Sequence, residues 1–176
     1  GVTSEKSAYE PRNLIVQLVG DDFQYNRIYE VVASNLRVPV GVPVYVVASI
    51  TAVPTEDDQA KGVVTFYLKD LSDPDAPVQT ETVTHQIVGG LDGEDRIPLL
   101  LGGRGEEGHL WDGQFARVRF SAGALEKNDL LIGQAESAPV LADYQFAGDD
   151  GEHPGEGATW IREDSSDKPS ASPLLP

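Results

Sequence analysis

Apolar and polar residues alternate along most of the first 147 residues of this chain, which is the pattern of half-buried β-strands. The alternation is clearest over residues 63–70, where Val64, Phe66 and Leu68 share one face. The other predicted strands cover residues 13–19, 28–33, 35–40, 43–53, 79–88, 97–101, 114–120 and 141–147. No segment keeps a helical period, and turns rich in Gly and Pro separate the strands. The pattern therefore predicts an all-β, antiparallel two-sheet sandwich.

The placement of apolar side chains also predicts which faces of each strand are packed against other parts of the protein. Residues 43–53 are apolar on both faces, which predicts a central strand. Residues 79–88 present a threonine-rich, solvated face, and a single helical turn is expected within residues 126–131. The side chains predicted to be mostly buried are Val46, Ala48, Val64, Phe66, Leu68, Val118 and Phe120.

Composition changes after residue 147. The stretches 149–157 and 163–173 hold few apolar residues and cannot bury enough surface to offset the entropy lost on ordering. Trp160 lies between them and could dock on the sandwich. We therefore predict a β-sandwich domain over residues 1–147 and an acidic tail or linker, rich in Gly, Pro and Ser, over residues 148–176.

The net charge of the chain limits the classes of molecule that it could bind. The net charge of −16 argues against nucleic acid and anionic membrane surfaces, because phosphate binding requires a basic surface. There is no cysteine for a disulfide or a thiolate metal site, and no apolar run approaches the roughly 20 residues of a membrane helix. The chain begins with Gly and contains no methionine, so we expect a processed chain, an excised domain or part of a precursor.

Three stretches carry a resemblance to a known family. Residues 97–105 run from a short apolar strand into glycines, and residues 111–125 lead from a Trp-Asp-Gly turn through an alternating strand to a small-residue corner. Residues 43–70 form a pair of consecutive strands. Together these resemble the later part of a laminin-G-like domain of the concanavalin A-type lectin/glucanase class, over about residues 11–135. The chain resembles modules of large secreted or surface proteins of environmental bacteria such as planctomycetes more than it resembles animal laminins.

The resemblance implies a concanavalin A-like jelly roll, lectin-like binding of carbohydrate or protein, and an extracytoplasmic location. The chain departs from the family pattern in two places. The family's closing strand carries an Asp-Glu pair where Ala116 and Arg117 stand here, and several strands normally precede the position of Asn13. We therefore expect a sandwich that is incomplete at its N-terminal side. The upstream half of the same precursor, or a partner subunit, would complete it.

The sequence offers little support for catalysis. Glycoside hydrolysis needs two carboxylates about 5–10 Å apart, and no predicted strand carries alternating acids on one face. His85, His109 and His153 show neither zinc-ligand spacing nor a neighbouring Gly-x-Ser-x-Gly elbow. We expect a protein that is not an enzyme, with a glycoside hydrolase as the least favoured alternative.

Exposed aromatic rings are the candidate ligand-binding groups. Trp111 lies in its own turn, and Phe23 and Tyr25 lie in the turn after the first strand, where their rings could stack on a sugar. The alternative for Trp111 is packing over the edge of the sandwich.

A calcium site is the one cofactor that the sequence suggests. Calcium binds six to eight oxygens, so clustered loop carboxylates suit it. Asp92, Glu94 and Asp95 are the best local candidates, although acidic clusters also arise by chance in so acidic a chain. The expectation is thus either no cofactor or a bound calcium ion.

Two functions remain in view from the sequence. The first is a non-catalytic lectin-like module within a larger extracytoplasmic protein. The second is a structural accessory domain or subunit that packs on a partner and binds no soluble ligand.

Overall fold

The computed structural model describes residues 1–52, 61–91, 101–102, 111, 113–132, 140–146 and 158–161. Its strands are β1 (Asn13–Asp21), β2 (Arg27–Arg37), β3 (Val44–Thr51), β4 (Gly62–Asp70), β5 (Gln79–His85), β6 (Arg117–Ser121), β7 (Val140–Phe146) and β8 (Ala158–Ile161). One 3-10 turn, Lys127–Asp129, is the only helical element in these ranges, so the predicted helical turn and the all-β class are confirmed. No helix in them is long and apolar enough to span a membrane.

The chain divides into two compact units. The first comprises residues 1–95 and 123–135, and the second comprises residues 96–122 and 136–176. The first unit holds an antiparallel β1–β2 hairpin and an antiparallel sheet ordered β3-β4-β5, and the second holds a sheet ordered β6-β7-β8. The domain limit predicted at residue 147 lies outside the described residues and stays a prediction.

The core of the first unit lies between its two sheets. Inward side chains of β1, β2 and β4 meet there with Ile87, which follows β5, in a sandwich-like arrangement. The buried members of this cluster are Leu14, Leu18, Val32, Val38, Val64, Phe66, Leu68 and Ile87. Burial of Val64, Phe66 and Leu68 is therefore confirmed.

Two carboxylates join the sheets where β2 lies beside β5. Glu81 on β5 accepts hydrogen bonds from the backbone N–H of Asn35 at 2.7 Å and from its side-chain Nδ2 at 2.8 Å. Glu30 on β2 accepts a hydrogen bond from the backbone N–H of Gln86 at 2.8 Å. Each carboxylate thus accepts a hydrogen bond from a backbone N–H that would otherwise need a neighbouring strand as its partner. These contacts close this side of the sandwich.

Strand β3 is not the central strand that its apolar pattern predicts. It pairs with β4 alone among the described strands, and Val46 remains 45% exposed although it lies opposite the buried Leu68 in the β3–β4 register. Ala48 is exposed as well. The expected burial of Val46 and Ala48 is therefore wrong: β2 lies closest to β5 and β4, and Val44 and Ile50, near the two ends of β3, pack against the core while the middle of the strand stays exposed.

The other face of β3 is covered by the segment that carries the 3-10 turn. The Leu131 backbone N–H donates to the hydroxyl of Tyr45 at 3.0 Å, and the Tyr67 hydroxyl donates to the carbonyl of Leu125 at 3.3 Å. Leu130 is fully buried in the first unit. Burial, followed by the nearby negative charges of Glu126 and Asp129, raises the pKa of Tyr67. A non-strand segment that is distant in sequence, and not a further sheet, thus covers the outer face of β3.

In the second unit, β8 pairs with β7, with Trp160 opposite Tyr144. The backbone of Trp160 therefore belongs to a sheet, and the docking of its side chain stays a prediction. Phe120 is exposed, contrary to expectation, and its ring meets the ring of Tyr144 edge-on with 6.5 Å between the centroids. Val118 is half-buried, and most of the strand predicted over residues 97–101 lies outside the described residues.

Candidate ligand-binding turn

The turn between β1 and β2 is held by one carboxylate. Asp22 Oδ1 accepts hydrogen bonds from the backbone N–H groups of Gln24 and Asn26, each at 2.8 Å, and the Asn26 amide donates to both Asp22 oxygens. The backbone closes the same loop, because the Asp22 N–H donates to the Asn26 carbonyl at 3.0 Å. The Asn26 donors, followed by Gln24, lower the pKa of Asp22. The turn is therefore built around an ionised aspartate.

This geometry presents two aromatic rings to solvent. Tyr25 has a φ of +63°, a left-handed conformation that costs a non-glycine residue about 1 kcal/mol or more. Its backbone N–H donates to the Asp22 carbonyl at 3.0 Å, which helps to hold that conformation. Tyr25 is 91% exposed and Phe23 is 62% exposed. Strain and exposed aromatic surface at one turn are features of a binding surface.

The base of the turn is fixed to the rest of the first unit. Arg27 lies 3.5 Å from the carboxylate of Asp21 and donates from Nη1 to the Gly90 carbonyl at 2.8 Å. Just beyond, Val19 and Tyr29 lie opposite each other on the β1–β2 ladder, and both are exposed. The exposed rings of the turn are therefore continuous with the exposed apolar side chains of Val19 and Tyr29. Because Arg27 ties this hairpin to Gly90, little entropy should be lost when a ligand binds there.

The predicted aromatic set does not fall in one unit. Phe23 and Tyr25 share the β1–β2 turn, whereas Trp111 belongs to the second unit. Its ring centroid lies 6.1 Å from that of Phe115 with the planes tilted by 34°, and its backbone N–H donates to the Gly102 carbonyl at 2.7 Å. The Trp111 ring remains partly exposed.

The predicted calcium ligands Asp92, Glu94 and Asp95 lie outside the described residues. Among the side chains that the structure does describe, no three His, Asp or Glu residues come together as a metal site. The suggestion of calcium therefore stays a prediction.

Sequence reasoning missed a charged cluster on the β6–β7 ladder. Asp143, only 4% exposed, accepts from Arg117 Nε at 2.8 Å and from Arg119 Nη2 at 2.7 Å, and Arg117 Nη2 also bonds it. The hydrogen bonds from Arg117, assisted by Arg119, lower the pKa of Asp143 to about 2. The signal was present as two arginines at alternate positions of one strand, which must share a face.

A second buried polar group is His85, at the end of β5. Its side chain is 1% exposed, and neither ring nitrogen has a hydrogen-bond partner in the described part of the chain, although backbone groups of Thr51, Val63 and Ile87 surround it. Burial lowers the pKa of His85, and the negative charge of Glu30 opposes that shift only in part. The ring is thus held neutral inside the first unit.

Comparison with known proteins gives no relative for this arrangement. No protein-family model matches the chain, and no curated protein or solved structure matches it.

Proposed function

We propose that this chain is a non-catalytic, lectin-like binding module with a concanavalin A-like jelly-roll fold, part of a larger extracytoplasmic protein. The observation that carries the proposal is the β1–β2 turn, where Phe23 and Tyr25 project into solvent from a backbone that Asp22 holds in a strained conformation. Keeping two aromatic rings exposed costs hydrophobic free energy, which binding of a ligand would recover.

The chemistry of the turn favours a neutral sugar surface. The apolar face of a pyranose ring stacks on an aromatic ring, and a rigid pair of rings loses little entropy when it does so. The net charge of −16 disfavours sulfated or uronic-acid glycans at moderate ionic strength. Asp22 is occupied by the turn itself and acts as a positioning residue for Tyr25.

The test is a glycan array followed by calorimetry on the best neutral glycan. We expect Phe23→Ala and Tyr25→Ala each to weaken binding about tenfold, since an aromatic stacking contact contributes about 1 kcal/mol beyond its area. Val40→Ala, which removes an equally exposed apolar side chain elsewhere in the unit, should leave binding unchanged. Wild-type affinity in both aromatic variants would refute the role of the turn.

The same array tests the proposed calcium site. Loss of glycan binding in EDTA, restored by calcium and abolished by Asp92→Asn with Glu94→Gln, would assign those residues to calcium. Binding that is unchanged in EDTA would assign recognition to the aromatic rings alone.

A structural accessory role is the second candidate, and one observation favours it. Val46 and Ala48 point inward from β3, yet both are exposed. An apolar inner face without cover is unstable in water, so a partner that completes the sandwich would be held firmly. A chain that binds no glycan but purifies with a fixed partner would support this role over the first.

A further inference from the structure

Exposed aromatic rings continue along the β1–β2 hairpin beyond its turn. Side chains alternate along β2, so Val32 and Ser34 are buried inside the unit whereas Tyr29 faces outward and is exposed. Tyr9, from the segment before β1, is also exposed, and its hydroxyl donates to the Val31 carbonyl at 3.5 Å. The Tyr9 hydroxyl is therefore one outward position along β2 from Tyr29.

These two rings extend the pair that the turn presents. Outward positions of a strand repeat about every 6.8 Å, so about 20 Å separates the tip of the turn from Val31. Three of the six tyrosines of the chain are exposed on or beside this one hairpin. We name these rings the aromatic row, which consists of Phe23, Tyr25, Tyr29 and Tyr9.

A polar pair lies within the aromatic row. Asp21 and Arg27 are opposite each other in the β1–β2 register, between the turn and Tyr29, and their side chains are 3.5 Å apart and partly exposed. A pyranose ring has an apolar face and an edge of hydroxyl groups. Aromatic rings with a few polar groups between them match both parts of such a ligand.

The hairpin offers little charge to a partner, although the whole chain is strongly acidic. Within residues 13–37, all of which the structure describes, the carboxylates are those of Asp21, Asp22 and Glu30. Asp21 pairs with Arg27, Asp22 binds the N–H groups of its own turn, and Glu30 binds a backbone N–H after β5. Because each carboxylate is already engaged, charge complementarity favours an uncharged ligand.

The size of the aromatic row favours a narrow ligand. Two strands and their side chains are about 10 Å wide, so the row covers about 200 Å² in projection. A stable protein interface takes about 800 Å² from each partner, which is far more than this. A polysaccharide chain one sugar ring wide fits such a strip.

We propose that the aromatic row binds a linear, neutral polysaccharide of β-1,4-linked pyranose units, which lies along β2 and contacts it over about four units. In a β-1,4-linked chain the substituents are equatorial, so the chain is a flat ribbon whose rings all have accessible apolar faces. An α-1,4-linked chain coils, and its successive rings cannot lie on one flat strip. This inference rests on the proposed function, because it extends the turn of Phe23 and Tyr25 to a series of sugar subsites.

The test is the dependence of affinity on oligosaccharide length. Oligomers of β-1,4-linked glucose with two, four and six units are titrated into the full chain by calorimetry, beside a parallel series of N-acetylglucosamine. Each further stacking contact should contribute a factor of about five, so the better hexasaccharide should bind about thirtyfold more tightly than its disaccharide. The larger number of binding registers on a hexasaccharide accounts for a gain of only about fivefold. Maltohexaose, which is α-1,4-linked, is the control of equal size and should gain no more than that over maltose.

Two variants assign the length dependence to the aromatic row. Tyr29→Thr removes a ring but keeps a residue that favours strands, and Tyr9→Ala removes the ring beside Val31. Each should lower hexasaccharide affinity about fivefold and leave disaccharide affinity unchanged. Tyr9→Phe, which keeps the ring, should bind as the wild type does, and so should Val40→Ala outside the row. Thermal melting followed by circular dichroism confirms that each variant is folded.

The outcomes separate this inference from the proposed function. Hexasaccharide and disaccharide affinities within about fivefold of each other, or wild-type hexasaccharide affinity in Tyr29→Thr, would overturn the extended site and leave sugar binding at the turn intact. Maltohexaose bound as tightly as the β-1,4-linked hexasaccharide would overturn the linear geometry. If no oligosaccharide bound at all, the proposed function would be overturned together with the inference.

Discussion

At the scale of single residues, the buried ring of His85 lies directly against a glycine of the neighbouring strand. A Cβ on Gly62, the residue opposite it in the β4–β5 register, would overlap the imidazole ring, so only glycine fits there. Gly20 has the same role on β1, where a Cβ would overlap Ile87. Two glycines in strands therefore mark where the chain passes from β5 to the free edge of β1.

The buried imidazole predicts a pH-dependent stability. Burial holds the pKa of His85 below its usual 6.5, so the unfolded chain takes up a proton at a higher pH than the folded one. The free energy of unfolding should therefore fall as the pH drops below about 6.5. His85→Leu should remove much of this fall and change stability at pH 8 by no more than about 1 kcal/mol.

Urea unfolding at pH 8 and at pH 5.5 measures both quantities. His109 and His153 are present in wild type and variant alike, so the difference between the two proteins isolates His85. An equal loss of stability in both proteins would show that His85 is protonated as readily in the folded state as in the unfolded one.

At the scale of elements, the carboxylate of Asp143 on β7 binds both arginines of β6. The pKa of Asp143 is about 2 when folded, against an ordinary value of 3.8. Its ionisation therefore contributes about 2 kcal/mol to stability above pH 4, and this is lost as the pH falls toward 2. Asp143→Asn should cost about 3 kcal/mol at pH 7, because it leaves two arginines without their buried partner.

Native-state hydrogen exchange at the backbone amides of Val118 and Arg119 on β6 measures this loss of stability within the second unit. Asp75→Asn, which neutralises an exposed acid in the first unit, is the matched control and should leave those amides unchanged. Unaltered exchange in Asp143→Asn would mean that the two arginines do not depend on this carboxylate.

The elements also show what periodicity can and cannot predict. Alternation located β1, β4 and β5 to within three residues at each end, because those strands each have one buried face. It divided β2 at Ser34, whereas β2 continues to Arg37 through pairing with Asn13. The contact that holds Asn35 comes from Glu81, 46 residues away, and no local pattern records it.

The candidate site was likewise predictable from the sequence only in part. The sequence alone indicated Phe23 and Tyr25, because they are aromatic residues within a polar turn. The left-handed φ of Tyr25 was not predictable, because it depends on how Asp22 distributes its hydrogen bonds within the turn. The position of β3 at the edge of its sheet was also hidden, since cover of its outer face by a non-strand segment and cover by a second sheet give the same apolar pattern.

At the scale of the whole molecule, charge opposes compactness. A net charge of −16 on 176 residues creates self-repulsion that unfolding relieves. The chain has 29 acidic residues and only 13 basic ones, so pairs such as Arg27 with Asp21 cannot compensate most of the acidic charge. The repulsion acts across the surface and is therefore open to screening by salt.

This predicts that sodium chloride stabilises the protein. Raising its concentration from 20 to 300 mM shortens the Debye length from about 20 Å to about 6 Å, so repulsion between distant acids is largely removed. A gain of about 1 kcal/mol would raise the melting temperature by about 3 °C in a chain of this size. The variant Glu5→Gln, Glu10→Gln, Asp75→Asn reduces the net charge from −16 to −13 by removing three exposed acids, so it should melt higher at low salt and gain less from added salt. A melting temperature that is independent of salt in both proteins would mean that the acidic surface does not limit stability. The charge would then bear on the choice of binding partner alone.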